Sequence, residues 1–300
     1  MSARAATGIG GIAIVLWSLL ALLTTLTGDV PPFLLVAMSF FIGGTLGLIY
    51  LVCSPQGLKS LLETPLSAWA LGVAGLFGYH ALYFLALRSA PVVQANLIIY
   101  IWPLLIVLFS ALLPGDKGTG GLKWWHLSGA SLGLAGTVLI LAGGSGAPAL
   151  NSAGGIAWLG YGAALAAALV WSVYSVANRR FASVPSTSVA GFCMVTALLA
   201  TAAHLAFEET IWPSGPVQWA AVAGLGIGPV GAAFYVWDYG VKHGDIRVLG
   251  AAAYATPMLS TLALVTLGSS TAGPALWTAC MLITAGAALA AREMLFGPKD

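Results

Sequence analysis

Ten stretches of about twenty apolar residues follow one another down this chain, and its few charges fall almost wholly between them. They run over 8–27, 33–53, 66–87, 92–113, 125–143, 155–178, 187–207, 217–238, 246–267 and 273–291. A helix of that length crosses the hydrocarbon of a bilayer while satisfying its own backbone hydrogen bonds. Only 7% of the 300 residues are charged, against about a quarter in a soluble domain. That leaves too little charge to solvate an aqueous surface. The chain is expected to be an all-α integral membrane protein with ten transmembrane helices.

The breaks between stretches carry turn chemistry, as in Gly28-Asp29-Val30-Pro31-Pro32 and Trp212-Pro213-Ser214-Gly215-Pro216. The first stretch is too long for a cleaved signal peptide and is expected to stay. Sorting the cations by side is decisive for orientation. Arg4, Lys59, Lys117, Lys123, Arg179, Arg180, Lys242, Arg247, Arg292 and Lys299 share one side, and Arg88 alone lies on the other. By the positive-inside rule both termini are cytoplasmic. Trp69, Trp124, Trp125, Trp158, Trp212, Trp219 and Trp277 fall near stretch ends, where an interfacial belt would place them. Cys53, Cys193 and Cys280 show no C-x-x-C or Cys/His spacing, so they read as buried thiols acting as small hydrophobes.

A fixed offset of 154 residues links the two halves: Trp17-Ser18 falls on Trp171-Ser172, Pro31 on Pro185, Gly72 on Gly226, Arg88 on Lys242, Tyr100 on Tyr254, and Pro103 on Pro257. Five spans per half is an odd number, so the second copy enters the membrane upside down. Inverted repeats mark alternating-access transporters, which hold substrate near midplane where the repeats meet. The expected organisation is a first five-helix repeat over 1–143, an external linker over 144–154, "GAPAL" within it, and a second repeat over 155–300.

The repeat and the marked ends of spans 4 and 9, "ALRSAPVVQANLIIYIWPLLIVLFSALLPGDK" and "GVKHGDIRVLGAAAYATPMLSTLALV", resemble the drug/metabolite transporter superfamily. Within it the chain is similar to the EamA-type ten-helix exporters. Many members have Glu-Pro where this chain has Trp102-Pro103, and Tyr100-Ile101-Trp102-Pro103 looks like the YddG-type aromatic amino acid exporters. The resemblance implies a central cavity surrounded by helices 1, 3, 4, 6, 8 and 9, with helices 2 and 7 flanking it and helices 5 and 10 outside. It also implies a bacterial inner-membrane location.

Helical spacing puts Asn96, Tyr100 and Pro103 on one face of span 4. At 1.5 Å per residue, Tyr100 lies about 12 Å deep, near midplane. Span 3 carries Tyr79, His80 and Tyr83, and span 6 carries Trp171, Tyr174 and Ser175. Trp17, Tyr235 and Tyr254 come from spans 1, 8 and 9, with Trp102 beside Tyr100. For any one ring, core packing and cavity lining are both open, but convergence at one depth favours a substrate cavity. Pro103 and Pro257 are candidate hinges, a fixed kink being the alternative. His80, Asp238 and Arg88 are candidate gating or coupling groups, because ionisable groups inside a membrane are functional candidates by default. For Asp238 a helix end-cap near Lys242 and Arg247, and for Arg88 snorkelling to headgroups, are the competing readings. Gly226-Ile227-Gly228-Pro229-Val230-Gly231 matches a dinucleotide fingerprint, but no strand precedes it, so these glycines and Gly129/Gly133 read as close helix packing.

The expected function is export of small organic metabolites, aromatic and other neutral amino acids first, by facilitated alternating access. Proton-coupled efflux of another cargo is the rival, and a membrane-embedded enzyme lacks the paired carboxylates or nucleophile–base pair it would need. The expected partners are the bilayer and a small-molecule substrate, with no nucleic acid, metal or cofactor. The oligomeric state is left open, a monomer being compatible with these features.

Overall fold

The computed structural model describes residues 1–55, 57–90, 92–110, 122–143, 157–266 and 273–292. The expected linker at 144–154, with Lys117 and Lys299, lies outside them. Helix is the regular structure among the described residues, with no strand. We label the apolar segments in chain order: α1 (Ala3–Leu26), α2 (Pro32–Cys53), α3 (Leu66–Ser89), α4a (Val92–Ile99), α4b (Trp102–Ser110), α5 (Trp124–Gly143), α6 (Ala157–Ala177), α7 (Val189–Phe207), α8 (Pro216–His243), α9a (Ile246–Ala252), α9b (Ala255–Thr266) and α10 (Pro274–Ala290). Among the described residues, six helices are long and apolar enough to cross a membrane, and shorter apolar helices accompany them.

The helix starts follow from local chemistry. Pro32, Pro216 and Pro274 open α2, α8 and α10, where the missing N–H costs nothing. Asp245 caps α9a by accepting from the amides of Arg247 at 2.9 Å and Val248 at 3.4 Å. Gly28, with φ +66°, makes the turn out of α1 that a Cβ would strain.

Two pairs of helices, α3 with α8 and span 4 with span 9, carry corresponding departures from regularity. α3 and α8 each contain a π-helical turn, Ala74–Gly78 and Gly228–Ala232, at the same 154-residue offset found in the sequence. Spans 4 and 9 are interrupted rather than kinked, at Tyr100-Ile101 and at Ala253-Tyr254. Each interruption precedes a proline, because Pro257 has no N–H for the carbonyl four residues back. The Thr256 amide takes that carbonyl of Ala253 instead, at 3.0 Å.

The strongest helix pairings are α5 with α10, α2 with α7, α1 with α8, and α3 with α6. Glycine makes several of these approaches possible. A Cβ on Gly43 of α2 would lie 2.8 Å from the Gly231 Cα of α8, and one on Gly129 of α5 would meet the Gly286 carbonyl of α10 at 2.5 Å. Gly226, Gly231 and Gly129 therefore sit in close helix contacts, whereas a Cβ on Gly228 would meet only a Leu16 methyl at 3.9 Å.

The outer surface is apolar. Trp124, Trp158, Trp212, Trp219 and Trp277 are exposed near segment ends, and large aliphatic side chains such as Leu198 and Leu205 are exposed along the helices. Cys53 is exposed, while Cys193 is buried and Cys280 half-buried. Cys53 closes α2 on its outer face, so the reading of all three as buried thiols fails for it.

Candidate functional site

Between the helices lies a cavity of about 500 Å³. Eight of the aromatic and polar residues singled out from the sequence share its wall: Trp17, Tyr79, His80, Tyr83, Asn96, Tyr100, Trp102 and Trp171. Pro257 also reaches it, through the wall segment Thr256–Ser260. α2 contributes Pro32, Leu35, Val36 and Ser39, so it is part of the wall rather than a flanking helix. The cavity extends up α1 from Trp17 to Thr27 and Gly28, about 15 Å at the rise of a helix.

Its inner end is a cluster of aromatic rings. Trp17 lies 5.0 Å from Trp237, 5.7 Å from Trp171, 6.1 Å from Phe234 and 6.3 Å from Trp102. Most of these contacts are edge-to-face, the arrangement ring quadrupoles favour. The Trp17 Nε1–H donates to the Pro229 carbonyl at 3.1 Å, inside the π-helical turn of α8. His80 behaves likewise toward the other π-helical turn, its Nδ1 lying 2.7 Å from the Leu76 carbonyl. Each irregular turn thus offers a backbone carbonyl to a ring on the wall.

Trp237 completes the cluster and was missed from sequence. It is fully buried, and its Nε1–H donates to Ser175 Oγ at 3.1 Å. The available signal was its helical register with Phe234, three residues earlier.

Four residues expected on the cavity wall lie elsewhere. Ser175 is buried beneath the cluster as the partner of Trp237. Tyr174 packs against Gly75 of α3, where a Cβ would collide with its ring. Tyr235 lies in the groove of α2 over Gly47 and donates to the Gly43 carbonyl at 3.0 Å. Tyr254, fully buried, packs against Gly133 of α5, so it does not mirror Tyr100. In three of these cases a glycine on a neighbouring helix opens the niche that draws the ring away.

Asp238 is also away from the cavity wall. Its side chain is sealed from solvent, 2.8 Å from Lys242 Nζ, and accepts from Asn178 Nδ2 at 2.6 Å. Lys242 Nζ further donates to the Val184 carbonyl at 3.0 Å. The pair lies in the last turns of α8, which ends at His243; Lys242 is the neighbour expected for a structural Asp238, whereas Arg247 pairs with Asp245 instead. Arg179 ties the same end together by donating to the carbonyls of Val241 and Gly244, both at 2.8 Å.

Arg88 is engaged at the opposite end instead of free to snorkel. Its Nη2 lies 3.2 Å from Glu208 Oε1. The Glu208 carboxylate is buried and accepts from the amides of Phe33 and Leu34 at the start of α2, at 3.1 and 3.3 Å. Its other neighbour is His204 Nδ1, at 2.9 Å. One carboxylate thus joins α2, α3 and α7, capping a helix to which it does not belong. Pro103 is buried beside Gly250, off the cavity.

No metal-ligand cluster of His, Cys, Asp or Glu exists among the described residues. Among the described residues the wall carries no carboxylate, Lys or Arg, only aromatic rings, hydroxyls, one amide and one imidazole amid aliphatic groups. A water-accessible cavity of this kind, inside a bundle with an apolar exterior, defines a membrane carrier for a small, partly aromatic molecule. The chain belongs to the EamA-like transporter family, whose model matches it twice, over residues 8–142 and 158–292. It is 53% identical over 294 residues to the aromatic amino acid exporter YddG of Ancylobacter novellus, covering 97% of this chain and 98% of that one. It is 26% identical over 298 residues to the exporter of that name from Salmonella typhimurium, covering 96% of this chain and 97% of the relative. A solved structure described only as a crystal structure of a protein superposes with a TM-score of 0.88 at 52% identity, covering 96% of this chain and 98% of that one.

Proposed function

We propose that this chain exports aromatic and other neutral amino acids across a bacterial inner membrane, by alternating access through the cavity and down the substrate's own gradient. The observation that carries this reading is the wall itself. Trp17, Tyr79, Trp102 and Trp171 offer ring faces to an aromatic side chain, while hydroxyls and the Asn96 amide offer partners for polar ends. The names of the relatives point the same way.

Ten crossings in two inverted halves, 1–143 and 155–300, fit the local structure. The π-helical turns share the sequence offset. Advancing each helix by five turns the α1–α8 pairing into α6–α3, as a two-fold relation between the halves requires. With both termini cytoplasmic, the cavity reaches toward the outside, and the tryptophan cluster with the Asp238–Lys242 pair closes the inside. The interruptions at Tyr100-Ile101 and Ala253-Tyr254 are the places where α4 and α9 would flex, with Pro103 and Pro257 preventing repair of the helix.

A competition panel in proteoliposomes tests the cargo. Unlabelled tryptophan, phenylalanine and methionine should reduce uptake of labelled phenylalanine, while a nucleotide sugar or a lipophilic cation should not. Competition only by the last two would reject the reading.

A further inference from the structure

We propose that His80 binds the ammonium group of the transported amino acid through Nε2, and that this contact makes the carrier prefer an amino acid to its deaminated acid. The inference rests on the amino acid reading above. Its basis is the hydrogen bond behind the ring. His80 Nδ1 is 2.7 Å from the Leu76 carbonyl, and a carbonyl oxygen only accepts, so Nδ1 carries the proton. In the neutral ring Nε2 then holds a bare lone pair on the far edge, away from the helix backbone. An imidazolium would have no carboxylate among the described wall residues to balance it.

The ring is also held in place. Phe40 stands edge-on to it at 5.1 Å and 90°, Tyr79 at 5.3 Å and 88°, and Phe234 at 6.2 Å and 75°. Packing on several sides prevents a flip that would exchange the two nitrogens. The acceptor is therefore preorganised before substrate arrives.

Every other polar side chain on the wall brings a donor. The tyrosine, serine and threonine hydroxyls and the Asn96 amide both donate and accept, and Trp102 and Trp171 carry donor-only indoles. Such groups suit a carboxylate. A substrate ammonium, which only donates, finds in His80 Nε2 the one wall side chain among the described residues that offers an acceptor and no competing hydrogen. The ring faces around it add cation–π attraction.

The test compares wild type, His80→Phe and His80→Gln in proteoliposomes preloaded with phenylalanine. Labelled phenylalanine counterflow is competed by phenylalanine, by 2-phenylethylamine, which lacks the carboxylate, and by 3-phenylpropanoate, which lacks the ammonium. His80→Phe keeps a flat ring and removes the acceptor. It should weaken competition by phenylalanine and 2-phenylethylamine roughly tenfold or more, the loss expected for a hydrogen bond to a charged group. Competition by 3-phenylpropanoate should be unchanged. His80→Gln restores a carbonyl oxygen and should recover part of the loss. Equal weakening of all three competitors, or no weakening of the two amines, overturns the assignment. Absence of phenylalanine counterflow in wild type would instead reject the amino acid reading itself, and this assignment with it.

Discussion

Asp238 and Lys242 are 2.8 Å apart on successive turns of α8, with side chains 0% and 1% exposed. The pair follows Trp237 of the tryptophan cluster directly along α8. Removing one partner of a buried pair leaves an uncompensated charge, at a cost of about 3–5 kcal/mol. Lys242→Met and Asp238→Leu should each lower the thermal midpoint of the detergent-solubilised protein strongly. The double variant should recover most of the loss. Additive losses in the double variant would show that the two groups do not act as a pair.

Tyr100 and Tyr254 occupy equivalent positions in the sequence repeat but different surroundings, the first on the cavity wall and the second against Gly133. Tyr254→Ala should therefore destabilise the fold by about 3 kcal/mol, as for other buried large-to-small changes. Tyr100→Ala should leave the thermal midpoint nearly unchanged and lower phenylalanine flux. Thermal denaturation and counterflow on both variants would reveal a reversal of these roles.

The difference between those two tyrosines shows what the sequence could and could not give. The all-helical, apolar character and the central aromatic residues of α1, α3, α4 and α6 were readable, because a Tyr, Asn or His inside a long apolar run needs a reason. Which way a ring turns depends on gaps in a distant helix. Gly47, Gly75 and Gly133 drew Tyr235, Tyr174 and Tyr254 into helix contacts. The π-helical turn at Gly228–Ala232 adds a further shift, since a wider turn rotates everything beyond it relative to simple helical spacing. The role of Glu208 was hidden for a related reason, as the α2 amides it caps and Arg88 of α3 lie more than a hundred residues away.

Trp171 contacts Trp17, Tyr79 and Phe234 within 5.7 Å. Trp171→Ala should reduce flux of aromatic cargo far more than it reduces folded protein in the membrane. A well-expressed variant with wild-type flux would remove Trp171 from the substrate path.

Glu208 caps α2 and pairs with Arg88 and His204 from within the protein. Glu208→Gln keeps the shape but loses the charge, and should lower the thermal midpoint. Arg88→Gln should cost less, since its guanidinium side chain is 51% exposed and already solvated. Equal losses for the two would place the stabilisation in the ion pair and not in the cap.

Facilitated movement of aromatic amino acids fits a cavity whose described wall residues include no carboxylate. Uptake of labelled phenylalanine into proteoliposomes held at one pH on both sides tests it most directly. Uptake should exceed that of empty liposomes, follow the phenylalanine gradient and stop when that gradient is abolished. Uptake that appears only when a proton gradient is imposed would contradict facilitated transport through this site.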